Sequence, residues 1–520
     1  MKNRDLSISL KFVTVSKVRK LLGSLKNKTS SSVDMLDNYA VKLVADQVSG
    51  PLHHVITLSL MQQKFPTSWK FTKIIPLHKK GSQLKKENYR PVAILSPLSK
   101  VMEKIMYEQI YNYFSRNNLF HPSLHGYRKD RSTMTALLSM YDKWITAAHQ
   151  GQVSGVVLVD LSAAFDLVSP SLLIQKLSIY GFKEDILNWI TSYLTDRYQA
   201  VWINHVFSSF LLNSIGVPQG SNLGPLFFLI FFNDLPNFIS EEIDCFADDS
   251  TLVAASKSIA VVGEKLTDDC NSLCTWMQNN RFKLNAEKTH LLTVGTSERL
   301  VTLTQNLEVS MDGVQLKETE GRVELLLGVK VQSNLKWSEQ IESLSRRLRD
   351  RLNGLEKLRY IMGKNCRKNI VQGLFNSVLC YCLPLFGGCN SSDIQLLQTQ
   401  QNRAGRIVLN LPPRFNRDTM FDMLGWMTVH QLVAYHTLLT VFRIRRSKEP
   451  EYLARALCRD NYRGNIIVTN SRLGLYKKSF VQRGSTLWNS VPPELRRIPG
   501  TAAFKAKLKK WVHESVSRFC

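Results

Sequence analysis

The chain has 520 residues, more than one ordinary hydrophobic core organises, so roughly two to four packed units are expected. With 44% hydrophobic and 21% charged residues it is globular, and disorder is excluded. Lysine and arginine total 68 against 42 acidic residues; the net +26 is spread along most of the chain and favours a long polyanionic partner, although a soluble basic protein would have the same composition.

In chain order, residues 14–63 alternate short helical patterns with polar breaks such as Lys28-Thr29-Ser30-Ser31-Ser32. Phe71 to His78 is predicted as a strand, followed by the basic turn Lys79-Lys80-Gly81. A second short strand covers Val92 to Leu95. The spacing of Leu98, Val101, Met102, Ile105, Ile110 and Tyr113 predicts a helix over 98–117. Gly155 to Leu161 is an apolar run interrupted by a carboxylate, as at the end of a buried strand. Ser169-Pro170 starts a helix with Ser as N-cap, Gly181 ends it, and another helix covers about 184–195. A strand over Ala200 to Val206 leads to the turn residues Gly216-Val217-Pro218-Gln219-Gly220. Ile243 to Ala254 is a hairpin with Asp248-Asp249 at its tip. Residues 341–382 are helical and basic on one face through Arg346, Arg347, Arg349, Arg351, Lys357 and Arg359. Pro412-Pro413 marks a linker into a last, mostly helical unit. Strands separated by helices through the middle third indicate an α/β or α+β core.

The longest apolar run, Leu226 to Phe232, is seven residues, too short to span a membrane. Met1-Lys2-Asn3-Arg4 does not lead into a secretory core. Nine cysteines is an odd number, and the close pairs Cys270/Cys274 and Cys380/Cys382 lack a second pair at zinc-ligand spacing, so mostly buried thiols in a reducing compartment are expected. Trp276, Trp337, Trp426 and Trp488 are expected as packing anchors.

Three carboxylates stand out. Asp160 ends a strand, and the adjacent Asp248 and Asp249 sit at a hairpin tip among Ile243, Phe246, Leu252 and Val253. Neighbouring carboxylates in apolar company repel and resist desolvation. A divalent cation reverses that penalty, and hard oxygen ligands suit magnesium. A pair of such ions would activate a primer hydroxyl and stabilise departing pyrophosphate. An ordinary polar hairpin turn beside an unrelated strand-end aspartate is the competing reading.

The motifs decide between them. Val159 to Asp166 (VDLSAAFD), Gly216 to Pro225 (GVPQGSNLGP) and Phe246-Ala247-Asp248-Asp249 resemble the palm motifs of reverse transcriptases from non-LTR (LINE-like, jockey-type) retrotransposons. Asn233-Asp234-Leu235-Pro236 follows the second block as in that family. Asn88 to Leu95 and His125 to Thr133 resemble the fingers motifs. Leu284 to Thr289, Leu327-Gly328-Val329 and Leu335-Lys336-Trp337 resemble the last palm motifs. The resemblance covers roughly residues 14–340 and continues more weakly through Gly484 to Trp488-Asn489, Pro492 and Phe504-Lys505.

The resemblance implies an α+β right-hand polymerase fold: an N-terminal extension and fingers over 1–150, and a palm with an antiparallel sheet and inserted fingers helices over 151–340. A helical thumb over 341–410 and a mostly helical C-terminal region over 411–520 follow. It implies an RNA-directed DNA polymerase that extends a DNA primer on an RNA template with deoxynucleoside triphosphates. Asp160 and Asp248 would bind two Mg2+ ions (Mn2+ being the substitute), with Asp249 and the Leu161 carbonyl contributing. Phe165 would lie under the incoming sugar and exclude a 2′-hydroxyl. Gln219 and Gly220 would face the nascent base pair, and Gly permits close backbone approach there. Arg90, with Lys79 or Lys80, would grip the triphosphate, and Lys288 would protonate the leaving pyrophosphate. Asp166 is expected to cap the loop before the Ser169-Pro170 helix. The basic stretch 341–382 would track the template–primer backbone.

Two departures from the family pattern are visible. No glycine precedes Asp34, and Leu124-His125-Gly126-Tyr127-Arg128 stands where Gln-Ser/Ala-Gly-Phe-Arg is usual. Neither endonuclease nor zinc-knuckle motifs occur, so a separate endonuclease activity is an expected partner. An intracellular protein, cytoplasmic and nuclear and acting in the nucleus, is expected. The alternatives are a decayed or co-opted copy that only binds RNA, and an intron-maturase-like protein, which the Ala164-Phe165-Asp166 and Gly216 to Pro225 blocks disfavour.

Overall fold

The computed structural model describes residues 6–79, 81–161, 164–284, 289–469, 471 and 473–514. Apolar runs of strand length place β1 at Phe71–His78, β2 at Tyr89–Ile94, β3 at Val153–Val159, β4 at Arg197–Ile203 and β5 at Val206–Phe207. They continue with β6 at Leu211–Asn213, β7 at Glu242–Phe246, β8 at Asp249–Ser256 and β9 at His290–Val294. The chain divides into two compact units, each discontinuous in sequence. One comprises Met1–Tyr127, Asp160–Ser240 and Asn271–Asn285, and the other Arg128–Val159, Glu241–Cys270 and Ala286–Cys520.

The first unit holds a sheet of order β2-β1-β4-β5, with β6 also on β4. β1 pairs antiparallel with β2, Leu77 opposite Arg90, and parallel with β4. β1 has the predicted limits. β4 starts earlier than the expected Ala200 because Arg197 to Gln199 pair with β6, and Arg197 itself is 3% exposed although composition would place it outside. Helices Pro97–Arg116, Pro170–Ile179 and Glu184–Leu194 match the helical spacings. The long apolar run forms helix Gly224–Phe231, apolar on every side and therefore buried rather than amphipathic. Phe227, Phe228, Phe231 and Phe232 are each under 2% exposed, and Phe231 and Phe232 pack on Trp276 and Phe282.

The second unit is built on an antiparallel sheet of order β7-β8-β3-β9. β3 is central, and its sequence VSGVVLV is β-branched and apolar on both faces, as a strand covered on both sides requires. Helix Thr133–His149 packs against it, its first turn closed by a reciprocal Ser132–Thr135 capping box. Helix Ser338–Lys357 buries Ile341, Leu344, Leu348, Leu352 and Leu355 and exposes Arg346, Arg347 and Arg349. Two other arginines expected on that basic face serve the fold. Arg359 bonds Glu356, Asn410 Oδ1 and the Leu411 carbonyl, and Arg351 donates to the Leu374 carbonyl. Residues 411–416 join helices Ser391–Leu409 and Arg417–Leu424 inside this unit. One hydrophobic core runs across that connection, from Trp144 and Val156 through Leu348 to Phe504 and Val512.

Trp276, Trp337 and Trp488 are buried, as expected of packing anchors. No disulfide joins the described cysteines. Among the described residues, no helix is long and apolar enough to cross a membrane.

Candidate active site

In the second unit, β7 and β8 form a hairpin in which Phe246 faces Asp249, leaving Ala247 and Asp248 as the two-residue turn. Ala247 takes a left-handed φ of 59°, the conformation that two-residue hairpin turns demand at their first position. The fold therefore holds an alanine in a region that glycine usually occupies, and Asp248 is thrust to the tip. On the other side of β8, Val159 at the end of β3 faces Ser250. The chain thus reaches Asp160 and Asp249 at the same end of this sheet, beside the Asp248 turn.

The surroundings of these carboxylates differ from the sequence expectation. Asp160 and Asp249 are exposed and Asp248 is half-buried, so the apolar residues of the hairpin shield the strands and leave the acids open to solvent. Asp160 and Asp248 accept no hydrogen bond and form no ion pair among the described residues. Among the described residues, no group of three or more His, Cys, Asp or Glu side chains is gathered closely enough to hold a metal ion. Carboxylate oxygens are nonetheless the donor type that suits hard cations.

In the first unit, residues 216–223 form a loop that leads into the helix Gly224–Phe231. Gly216 N–H donates to the Val168 carbonyl and Val217 N–H to the Phe165 carbonyl, at 2.8 and 3.0 Å. Gly216 has φ +83°, and a Cβ there would lie 2.8–3.0 Å from the Asp166 backbone, so only glycine fits. At Gly220, φ +129°, a Cβ would sit 2.4 Å from the Ala93 carbonyl oxygen. Ala93 N–H in turn donates to the Gln219 carbonyl at 2.8 Å, tying the loop to β2. Ser221 Oγ donates to the Pro218 carbonyl and accepts from Gly224 N–H, and Asn222 Nδ2 donates to the Lys100 carbonyl. The block that reads as a motif in sequence is a loop with nearly every polar group employed.

Gln219 Nε2 donates to Asp166 Oδ1 at 2.8 Å. The sequence expectation for Asp166 is a cap on the loop before the Ser169-Pro170 helix; its side-chain partner is instead Gln219, so it anchors the loop that begins at Gly216. Ser169 stands at the N-cap without a side-chain cap bond, its hydroxyl 3.0 Å from Ser171 Oγ. Burial raises the Asp166 carboxyl above its usual range, partly offset by the Gln219 amide and the charge of Arg90. Arg90 is exposed on β2 and close enough for that charge to act. Phe165 is half-buried, stacked on Phe228 with centroids 4.5 Å apart and edge-on to Tyr127 at 5.9 Å. Leu161 is buried and bridges to Leu284. Lys79 is exposed, and its N–H closes the turn onto the Asn88 carbonyl at 2.8 Å. Lys80 and Lys288 lie outside the described residues.

One residue that sequence reasoning missed underlies this loop. Glu103, 0% exposed, accepts from Asn222 N–H at 2.7 Å and from the Tyr193 hydroxyl at 3.2 Å. Burial pushes its carboxyl above the usual range, against the Asn222 amide, Arg197 and Lys100. The available signal was a carboxylate on the apolar stripe of the helix Pro97–Arg116, between Met102 and Met106.

The sequence profile described as Reverse transcriptase (RNA-dependent DNA polymerase) matches residues 77–344. The chain is 25% identical over 457 residues to a probable RNA-directed DNA polymerase from transposon BS of Drosophila melanogaster, covering 85% of this chain and 49% of that protein. It is 26% identical over 421 residues to the RNA-directed DNA polymerase from mobile element jockey of the same species, covering 78% and 45%. A probable RNA-directed DNA polymerase from transposon X-element, again of Drosophila melanogaster, is 22% identical over 476 residues, covering 87% and 51%. The chain spans about half the length of the curated relatives it matches.

Proposed function

Because the chain belongs to the reverse transcriptase (RNA-dependent DNA polymerase) family, we propose that it extends a DNA primer on an RNA template with deoxynucleoside triphosphates, within a mobile element similar to jockey. The observation that carries this reading is the strand register that brings Asp160, Asp248 and Asp249 to one end of the antiparallel sheet. Asp160, Asp248, Asp249 and the Leu161 carbonyl would hold two Mg2+ ions, or Mn2+ in their place. When bound, such ions supply an activated primer oxygen and charge neutralisation at the leaving pyrophosphate.

The remaining residues bind and select. The Arg90 guanidinium, with Lys79 and Lys80, would grip the triphosphate, a fork and point charges matched to phosphate oxygens. Phe165, braced by Phe228, would press on the sugar where a 2′-hydroxyl would otherwise fit. Gln219 and Gly220 would form the floor beneath the nascent pair, with Asp166 setting the Gln219 amide. Lys288 would give its proton to departing pyrophosphate. The exposed Arg346, Arg347 and Arg349 of the helix Ser338–Lys357 would follow the duplex backbone as thumb residues. Target cleavage would come from a separate endonuclease activity.

The test is primer extension by the purified chain, comparing wild type with Asp248→Asn. Magnesium-dependent incorporation that falls by at least about 10³-fold in the variant is expected. Incorporation that survives the substitution refutes the carboxylate assignment. No incorporation by wild type in magnesium or manganese would favour a remnant that only binds RNA.

A further inference from the structure

Far along the chain from the sheet-end carboxylates, the second unit contains an open cavity of about 460 Å³ walled by Arg445, Arg446, Arg463, Arg496 and Arg497, with Trp488 at its floor. It is assembled from the end of helix Val429–Ser447, the turn around Gly464, Trp488 of helix Phe480–Ser490, and helix Pro493–Arg496 with Arg497 and Ile498 after it. No carboxylate lines it among the described residues.

The arginines divide by what they already hold. Arg445 is committed to Asp460 by a bidentate pair, 2.8 and 2.7 Å, with its guanidinium over the Trp488 ring at 5.3 Å. Arg496 donates to the Gly464 carbonyl and to Asn465 Oδ1, which fixes the turn. Arg446, Arg463 and Arg497 are exposed and have no acidic partner within ion-pair distance among the described residues. Solvated arginines on a convex face are ordinary, because each points away from the next. Converging on one concavity they repel, and a bound polyanion removes that repulsion. Beside them, Tyr462 is 88% exposed, with the Arg463 guanidinium 5.1 Å above its ring. An exposed aromatic next to unpaired guanidinium groups is the pattern that takes successive phosphates together with an unstacked base.

We infer that this cavity and its rim are a binding site for single-stranded nucleic acid, taking backbone phosphates on Arg446, Arg463 and Arg497 and a base on the neighbouring Tyr462. A cavity of this volume admits a nucleotide-sized group. The site is independent of polymerisation and stands whether or not the carboxylates catalyse.

The test is fluorescence anisotropy of the full chain with a labelled oligouridylate, in EDTA and without nucleotides, over a range of salt concentrations. Arg446→Ala/Arg463→Ala/Arg497→Ala is expected to weaken binding roughly tenfold or more near physiological salt and to make the slope of log affinity against log salt about two units shallower. Tyr462→Ala should weaken binding with an unchanged slope. Replacing the same three arginines by lysine should restore most of the slope. A matched loss of charge elsewhere, Lys183→Ala/Lys257→Ala/Lys317→Ala, should have a much smaller effect. Equal effects from the two triple variants, or an unchanged slope in the arginine variant, would overturn the inference. So would displacement of the oligomer by a mononucleoside triphosphate at matched phosphate concentration.

Discussion

Asp248 at the β7–β8 turn and Glu103 in the helix Pro97–Arg116 are both carboxylates beside polymerase motifs, yet the protein surrounds them differently. Glu103 is fully enclosed, and the Asn222 amide, the Tyr193 hydroxyl and Ser99 Oγ, the last at 3.4 Å, all point at it. Asp248 is half open and Asp160 exposed, and neither receives a donor among the described residues. A carboxylate whose lone pairs are already used by its own fold stabilises that fold. One that the fold leaves unused at a strand end is available to something else. The difference separates structural acids from candidate catalytic ones without reference to the motifs that contain them.

The largest effect that would test this contrast comes from the open acids. Asp160→Asn should reduce primer extension by at least about 10³-fold while shifting the melting temperature by no more than about 1 °C, because an exposed side chain without partners carries little stability. Extension assays paired with thermal melts measure both. A melting temperature that falls by many degrees would place Asp160 among the structural acids and break the contrast.

Glu103→Ala should do the reverse. It strands the Asn222 amide and the Tyr193 hydroxyl in a closed interior, at a cost of about 3 kcal/mol in denaturant unfolding. Loss of activity should follow the loss of folded protein, and stabilising conditions should restore it. Activity abolished with unchanged stability would reverse the assignment.

Asp142 sharpens the same contrast through pH. It is 8% exposed and takes hydrogen bonds from the Tyr452 hydroxyl, Ser479 and the Val481 amide, yet burial raises its pKa to about 6. A carboxyl whose folded pKa lies above its unfolded value of about 4 binds more protons folded than unfolded between those values. Its contribution is therefore favourable at low pH and is lost as pH rises from about 4 to about 6, by up to ~3 kcal/mol. Asp142→Asn should flatten that part of the stability–pH profile and leave the chain equally or more stable at pH 7.5. Thermal melts from pH 4 to pH 8 measure it, and an unchanged slope would show that Asp142 titrates normally.

Much of this was legible from local pattern. β1 is a bounded apolar run with the expected limits, and the Ile243 to Ala254 hairpin turns at its acidic tip, where Ala247 and Asp248 separate the two paired strands. Partnerships between distant positions were not legible. Asp166 sits near a helix start, so capping was the local expectation, whereas its partner Gln219 lies 53 residues away. Glu103 and Asn222 are 119 residues apart. Periodicity reports which face of an element is buried, and it carries no information about which polar groups meet there. The same gap explains Arg359: its spacing puts it on a basic face, and only the tertiary contact with Asn410 and Leu411 withdraws it.

The smallest predicted effect concerns the longest-range of these partnerships. Arg128 and Arg131 lie within the His125 to Thr133 block, and both reach Glu449, 321 and 318 residues further along the chain, with Arg128 Nη2 at 3.0 Å and Arg131 Nε at 2.8 Å. Arg131 has 1% of its side chain exposed and Glu449 30%, so water screens this pair from the Glu449 side only. Glu449→Gln keeps the shape and one acceptor but removes the negative charge facing two guanidinium groups. It should cost about 1.5–3 kcal/mol, the range for hydrogen bonds to charged groups, at the low end because Glu449 is partly open to water. If the C-terminal segment positions the loop before helix Thr133–His149, the variant should also raise the apparent KM for template–primer while leaving kcat nearly unchanged. Steady-state extension kinetics at varied template–primer concentration separate the two, and a fall confined to kcat would show that Glu449 acts on the chemical step rather than on the loop.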